Sequence, residues 1–303
     1  MRYFGNNIKL MVNNLMVNYT DQGADDAPVI IFIHGFPLNK TMWNKQLECL
    51  REHYRVIAYD IRGQGESDAG VDDFSIKLFA TDLIAFMDVL KVAKATVCGI
   101  SIGGYIALNA IENYPERFEA LVLADTTCKA DTSVAKEKRM TTIKNIFEKG
   151  VHEYAAGSVK NMFALQSFTT KKSEISAVKQ MIINTSEDSL GCTLVALAER
   201  KETSGKLTAI QVPVLILVGK EDKITPPGAA IYMHVLIENS LIHSIGNAAH
   251  LSNMENPDEF NIHLTSFLVS VYKDYYNIKV PEEISFFREI RNKVAMLLSF
   301  KSI

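Results

Sequence analysis

The chain has 303 residues, 48% of them hydrophobic and 22% charged, which is the balance of a globular protein long enough to bury a large core. A formal charge of −3 supplies no bulk attraction to a phosphate backbone or an acidic membrane, which argues against nucleic-acid binding. The cysteines Cys49, Cys98, Cys128 and Cys192 are far apart and form no C-x-x-C pair, which argues against a zinc cluster or a disulfide framework and fits reduced thiols. The first residues, Met1 to Leu10, lack the apolar stretch and small-residue cleavage site of a secretory leader, and no run is long and apolar enough to span a bilayer. A cytoplasmic protein is the expectation.

Short apolar, β-rich runs predict strands at residues 15–19, 29–33, 55–60, 95–99, 120–124, 214–218 and 241–245, with longer amphipathic stretches between them. That alternation predicts an α/β fold, a mostly parallel sheet flanked by helices. The second strand runs into His34-Gly35-Phe36-Pro37, a glycine turn whose backbone N–H at Phe36 can face a ligand, whereas Pro37 has none to donate. The lone tryptophan, Trp43, follows and is expected to pack in the core. After the third strand comes Asp60-Ile-Arg62-Gly63-Gln-Gly65-Glu-Ser67, with Asp60 and Arg62 expected to tie loops together. Leu83, Ile84, Met87 and Leu90 share one face of a covering helix over 76–90.

Next is Ala95-Thr-Val-Cys-Gly99-Ile-Ser101-Ile-Gly103-Gly-Tyr, a strand that turns into a helix through G-x-S-x-G. The spacing suits a sharp strand-to-helix turn that lifts Ser101 out of the fold at a helix N-terminus. Ser101 is therefore a candidate nucleophile, and the unpaired N–H of Ile102 a candidate partner for negative charge on a substrate oxygen. Pro115 marks the end of the elbow helix.

Strand signals cease over 128–211, where amphipathic patches at 140–147 and 190–197 predict a helical insertion above the sheet. Insertions at the carboxyl edge of parallel strands shape ligand pockets, so this one is expected to act as a cap. Its Lys136, Lys138, Arg139, Lys171 and Lys172 read as solvated surface.

A serine hydroxyl needs an imidazole to take its proton and an acid to hold that imidazole. Asp222 follows the 214–218 strand in Gly219-Lys-Glu-Asp222-Lys-Ile-Thr-Pro226 and is the candidate acid, with Glu221 beside it and Asp125 at another strand end as competitors. Six of the seven histidines lie in the turn at 34, in helix-like surroundings or in strands, whereas His250 sits on a loop after the last strand and before a helix begun by Pro257. The order Ser101, Asp222, His250 completes the set.

Together these segments resemble the α/β-hydrolase superfamily across most of residues 15–272, and the D-x-R-G-x-G-x-S run strengthens the likeness. The match looks like the branch of small serine esterases, enol-lactonases, C–C hydrolases and cofactor-free perhydrolases. The resemblance implies Ser101, Asp222 and His250 as a triad, backbone N–H groups of Phe36 and Ile102 as the oxyanion hole, and no metal or organic cofactor. A serine at the elbow, where dehalogenases and epoxide hydrolases carry aspartate, points to attack on a small-molecule ester or lactone carbonyl. Perhydrolysis, C–C hydrolysis and a non-catalytic or slow-turnover ligand receptor remain the alternatives. The expected organisation is a core of 1–127 and 212–278, a cap of 128–211, and an amphipathic extension of 279–303, where Phe286, Ile290, Val294 and Leu297 recur at helical spacing and form a face to dock on its own domain or, as the alternative, to join two subunits as a homodimer.

Overall fold

In the computed structural model the described residues are 5–275, so the extension at 279–303 and the dimer contact expected of it lie outside them. Eight strands form one sheet: β1 (Gly5–Val12), β2 (Leu15–Gln22), β3 (Val29–Ile33), β4 (Arg55–Tyr59), β5 (Ala95–Ile100), β6 (Phe118–Ala124), β7 (Val214–Gly219) and β8 (Ser240–Ile245). Their order is β1-β2-β4-β3-β5-β6-β7-β8, with β1 and β2 antiparallel to their neighbours and every pairing from β4 to β8 parallel.

Seven of these strands coincide with predicted runs, shifted at their ends by up to three residues. β1 is the one the periodicity did not predict. It is a mostly exposed edge strand, joined to β2 by Asn13-Asn14, both at positive φ (49° and 61°). Two left-handed asparagines are the chemistry of a tight hairpin turn, so a signal was present in the turn as well as in the alternation of Ile8, Leu10 and Val12, which pack on the core.

Helices α1 (Asn44–Leu50), α2 (Ile76–Val89) and α3 (Ile102–Asn113) follow β3, β4 and β5. Between β6 and β7 come α4 (Ser133–Lys149), α5 (Val151–Met162), α6 (Ser167–Thr170), α7 (Lys172–Ile183) and α8 (Glu187–Ala198), and no strand. Helix α9 (Pro227–Leu236) joins β7 to β8, and α10 (Ser252–Glu255) and α11 (Pro257–Val271) follow β8. No helix among the described residues is long and apolar enough to cross a membrane.

The pleat sends alternate side chains of each central strand to opposite faces. Ile31, Ile33, Val97, Leu121, Leu123, Ile216 and Val218 join a core with α2, α3 and α9, while Ile30, Phe32, Cys98, Val122, Leu215 and Leu217 join one with α1 and α11. Helix α2 begins at Ser75, whose hydroxyl caps the Leu78 N–H at 3.1 Å, and buries Phe79, Leu83, Ile84 and Met87. Each such fully buried side chain contributes about 1.5–3 kcal/mol over exposure. Trp43 packs between Phe32 and Phe260, at 5.0 and 6.1 Å between ring centres.

The loop after β4 is anchored by charge. Asp60 accepts from the backbone N–H and ammonium of Lys40 (2.7 and 3.0 Å) and from Glu66 N–H, while Arg62 makes a fork with Asp82 (2.8 and 2.9 Å) and reaches Asp72. Because β4 to β8 run parallel, the loops after β3, β5, β6, β7 and β8 gather at one edge, where ligands bind in open α/β sheets.

Candidate active site

Ser101 stands between β5 and α3 with φ 54° and ψ −117°, a conformation that L-residues adopt only under constraint. The constraint is close packing. A Cβ on Gly99 would lie 2.2 Å from the Gly103 carbonyl oxygen, and one on Gly103 would lie 2.3 Å from that of Ile33. Backbone therefore touches backbone where the two pattern glycines stand. The turn is pinned further by Ser101 N–H to Ala124 O (3.0 Å) and by Thr126 Oγ1 donating to Ser101 O (2.7 Å).

His250 Nε2 lies 2.9 Å from Ser101 Oγ, and His250 Nδ1 lies 2.8 Å from Asp222 Oδ2. An ionised carboxylate only accepts, so Nδ1 carries the proton and Nε2 presents its lone pair to the serine hydroxyl. Burial opposes charge on His250, but Asp222, by proximity and by its hydrogen bond, more than offsets this and holds the imidazole pKa above its usual value. Burial likewise opposes charge on Asp222, yet His250 and Thr225 hold its carboxyl below the usual range. Thr225 donates its hydroxyl to Asp222 Oδ2 (2.7 Å), and the backbone N–H groups of Ile224 and Thr225 donate to Oδ1 (2.8 and 3.0 Å). The Asp-x-x-Thr spacing of such a turn was the available signal for Thr225, which sequence reasoning missed.

The competing carboxylates point elsewhere. Asp125 accepts from Gly219 N–H (2.8 Å) and from the N–H and hydroxyl of Ser252 (3.2 and 2.5 Å), and burial followed by repulsion from Asp222 pushes it up to about 7. Glu221 accepts from the Gln166 amide at 2.6 Å. Among the other histidines, His34 is buried and neutral: its Nε2 accepts from Ile61 N–H at 3.0 Å, and its Nδ1 lies 2.9 Å from Gly35 O. Burial lowers its pKa accordingly. His243 and His263 stack on one another with ring centres 3.9 Å apart.

The loop after β3 runs beside the serine, since a Cβ placed on Gly35 would lie 3.5 Å from Ser101 Cβ. Among the described residues the N–H groups of Phe36 and Ile102 donate no hydrogen bond, which leaves them available to a ligand oxygen. The Phe36 side chain packs against an apolar cluster of Ile146, Leu190 and Leu194 from α4 and α8, bordered by Ile143, Val151 and Tyr154. Of the cations expected to be solvated, Arg139 departs: it is three-quarters buried and bonded to Asp131, which also binds Arg200. Among the described residues no group of three or more His, Cys, Asp or Glu side chains is placed to hold a metal ion. The arrangement can take a proton from a serine hydroxyl, hold the resulting imidazolium against a carboxylate and stabilise charge on an oxygen beside the serine.

A family model described as the alpha/beta hydrolase fold matches residues 28–257 of this chain. The 3-oxoadipate enol-lactonase 2 of Acinetobacter baylyi is 29% identical over 252 residues, covering 83% of this chain and 92% of that protein. Among solved structures, a thermophilic esterase from Thermogutta terrifontis superposes with a TM-score of 0.83 at 29% identity, over 87% of this chain and 98% of its own. The enol-lactonase from Burkholderia xenovorans LB400 shares the fold at a TM-score of 0.81 and 23% identity, over 86% of this chain and 100% of its own.

Proposed function

This chain belongs to the α/β-hydrolase fold family, and on that premise we propose that it is a serine hydrolase of small carboxylic esters or lactones working through an acyl-enzyme. The observation that carries the reading is the continuous hydrogen-bonded line from Ser101 Oγ through His250 to Asp222, at 2.9 and 2.8 Å, on a backbone turn that holds the serine at φ 54°. Relatives named as an enol-lactonase and an esterase, each 29% identical, support ester-bond hydrolysis as the reaction class.

In the reaction proposed, Ser101 Oγ attacks the substrate carbonyl carbon while His250 Nε2 takes its proton. The carbonyl oxygen gains the electron pair and is held by the N–H groups of Phe36 and Ile102. Collapse expels the alcohol oxygen, which receives the proton from His250, and leaves the acyl group on Ser101. In a lactone that oxygen remains tethered to the acyl chain. Water then gives a proton to His250 and attacks the acyl-enzyme, and the protonated imidazole returns that proton to Ser101 as the carboxylic acid leaves. Asp222 keeps the imidazole in the required tautomer throughout.

Helices α4 to α8 serve in this reading as a cap over the site. Their apolar cluster against Phe36 supports an uncharged, apolar substituent next to the reacting carbonyl. Hydrolysis of p-nitrophenyl acetate by purified protein, compared with Ser101→Ala, tests the proposal: turnover that the substitution abolishes supports it. Ligand binding without turnover by the wild type would favour a receptor instead.

A further inference from the structure

Three buried carboxylates surround the His250 loop, and Asp222 is the one that hydrogen-bonds the imidazole. Asp125 binds the loop from the sheet side, through Gly219 and Ser252. Glu255 binds it from the opposite side. It closes the short helix α10, is 3% exposed, and its Oε1 accepts from the N–H of Ala249, the residue before His250, at 2.7 Å. Its Oε2 accepts from Ala164 N–H at 2.7 Å, in the junction between α5 and α6, and from the Ser167 hydroxyl at 2.5 Å, at the first residue of α6. A return bond runs from His250 N–H to Met162 O at 3.0 Å. The amides of two consecutive residues, one of them His250, are thus fastened to a segment from between β6 and β7.

The chemistry of Glu255 is specific to a carboxylate. Burial leaves its carboxyl above the usual value despite the donors on both oxygens, and it is the ionised group that satisfies all three donors at once. A glutamine would turn an NH₂ toward at least one N–H. What sets it apart from a carboxylate that only stabilises the fold is that its Oε1 holds the amide of the residue before His250.

We propose that Glu255 is a positioning residue for His250: its carboxylate fixes the imidazole loop to the α5–α6 junction, so that the aim of Nε2 at Ser101 depends on where that junction sits. The inference rests on the reading of His250 as the general base. It makes the helices over the site part of the machinery, because a substrate that shifts α5 and α6 moves the base with them. Displacements of about 1 Å in such groups cost up to about 100-fold in rate. The charged and polar groups facing His250 are Asp222 and Thr225 from the loop after β7, Asp125 after β6, Ser101 after β5 and Glu255 from α10.

The test measures kcat, KM and the pH profile on p-nitrophenyl acetate for full-length wild type, Ser101→Ala, Glu255→Gln and Ser167→Ala, with an NMR titration of the His250 imidazole. Glu255→Gln is expected to lower kcat by roughly 10- to 100-fold at a nearly unchanged KM. It should also move the acid limb of kcat/KM, and the imidazole titration, to lower pH, because a negative charge near His250 is lost. Ser167→Ala keeps the charge, so it should lower kcat by less than about tenfold and leave the limb in place. Should Glu255→Gln fail to fold, Glu255→Asp replaces it: too short to reach both sides, it should lower kcat without moving the limb. A folded Glu255→Gln with wild-type kcat and limb, beside an inactive Ser101→Ala, overturns the positioning role and leaves the hydrolase reading standing. A wild type that neither hydrolyses ester nor reacts at Ser101 overturns both.

Discussion

The two sides of the candidate site are held by different forces. The elbow around Ser101 is fixed by backbone pressed on backbone at its two pattern glycines, Gly99 against Gly103 within the turn and Gly103 against Ile33 of the neighbouring strand. The His250 loop is fixed by side-chain carboxylates from remote parts of the chain: Asp125 reaches Ser252 across 127 positions, and Glu255 reaches Ala164 across 91. The elbow's constraint is therefore a pattern of residue types, and the loop's is a pattern of tertiary contacts. The difference predicts distinct failures when each is broken.

The largest expected effect is chemical. Ser101→Ala and His250→Ala should each lower kcat for p-nitrophenyl acetate by at least about 10⁴-fold, with a thermal midpoint close to wild type. Next comes Gly103→Ala, whose methyl group would meet the Ile33 carbonyl oxygen 2.3 Å away. The backbone must shift, at a cost of about 3 kcal/mol or more, so denaturant unfolding should show a large loss of stability or the protein should fail to accumulate. Asp125→Asn, by contrast, keeps the size of the side chain and one acceptor oxygen, leaves one side of the Gly219 and Ser252 contacts unmet and should cost about 1–3 kcal/mol. It should yield a folded protein whose kcat falls more than its stability. Equal losses in the two variants would erase the comparison.

The pH dependence sharpens it. His250 accepts the serine proton only when neutral, and its pKa is raised, so kcat/KM should fall as pH drops through a limb above the ordinary 6.5 of histidine. Asp222→Asn removes the principal charge that raises it. The limb should then move to lower pH in a pH–rate profile, together with a large loss of kcat. The smallest effect is expected of Thr225→Val, which deletes one donor to Asp222 Oδ2 and leaves the backbone donors to Oδ1. A loss of about fivefold in kcat corresponds to a single hydrogen bond of about 1 kcal/mol.

Legibility in the sequence follows the same division. The central strands were readable because both faces are covered, which makes them continuous apolar runs such as Val214–Gly219. β1 was not: Ile8, Leu10 and Val12 alternate and pack on the core, but the alternation is short and most of the strand is exposed, and its clearest signal lies in the Asn13-Asn14 turn. Chain order singled out Ser101, Asp222 and His250, and the structure brings the three together. Adjacent carboxylates such as Glu221 and Asp222 look alike in sequence; the turn that accepts from Ile224 and Thr225 aims one at His250, while the other meets Gln166. The ties from Glu255 to Ala164 and Ser167 and from Asp125 to Gly219 and Ser252 had no local pattern, since these partners become neighbours only after the sheet and the helices between β6 and β7 have packed.

The most direct test of the central claim is mass spectrometry of the protein after reaction with a serine-directed fluorophosphonate. The account predicts one stoichiometric adduct on the peptide containing Ser101, absent in Ser101→Ala and formed orders of magnitude more slowly in His250→Ala. An unmodified wild type, an adduct on another serine, or undiminished labelling of His250→Ala would contradict it.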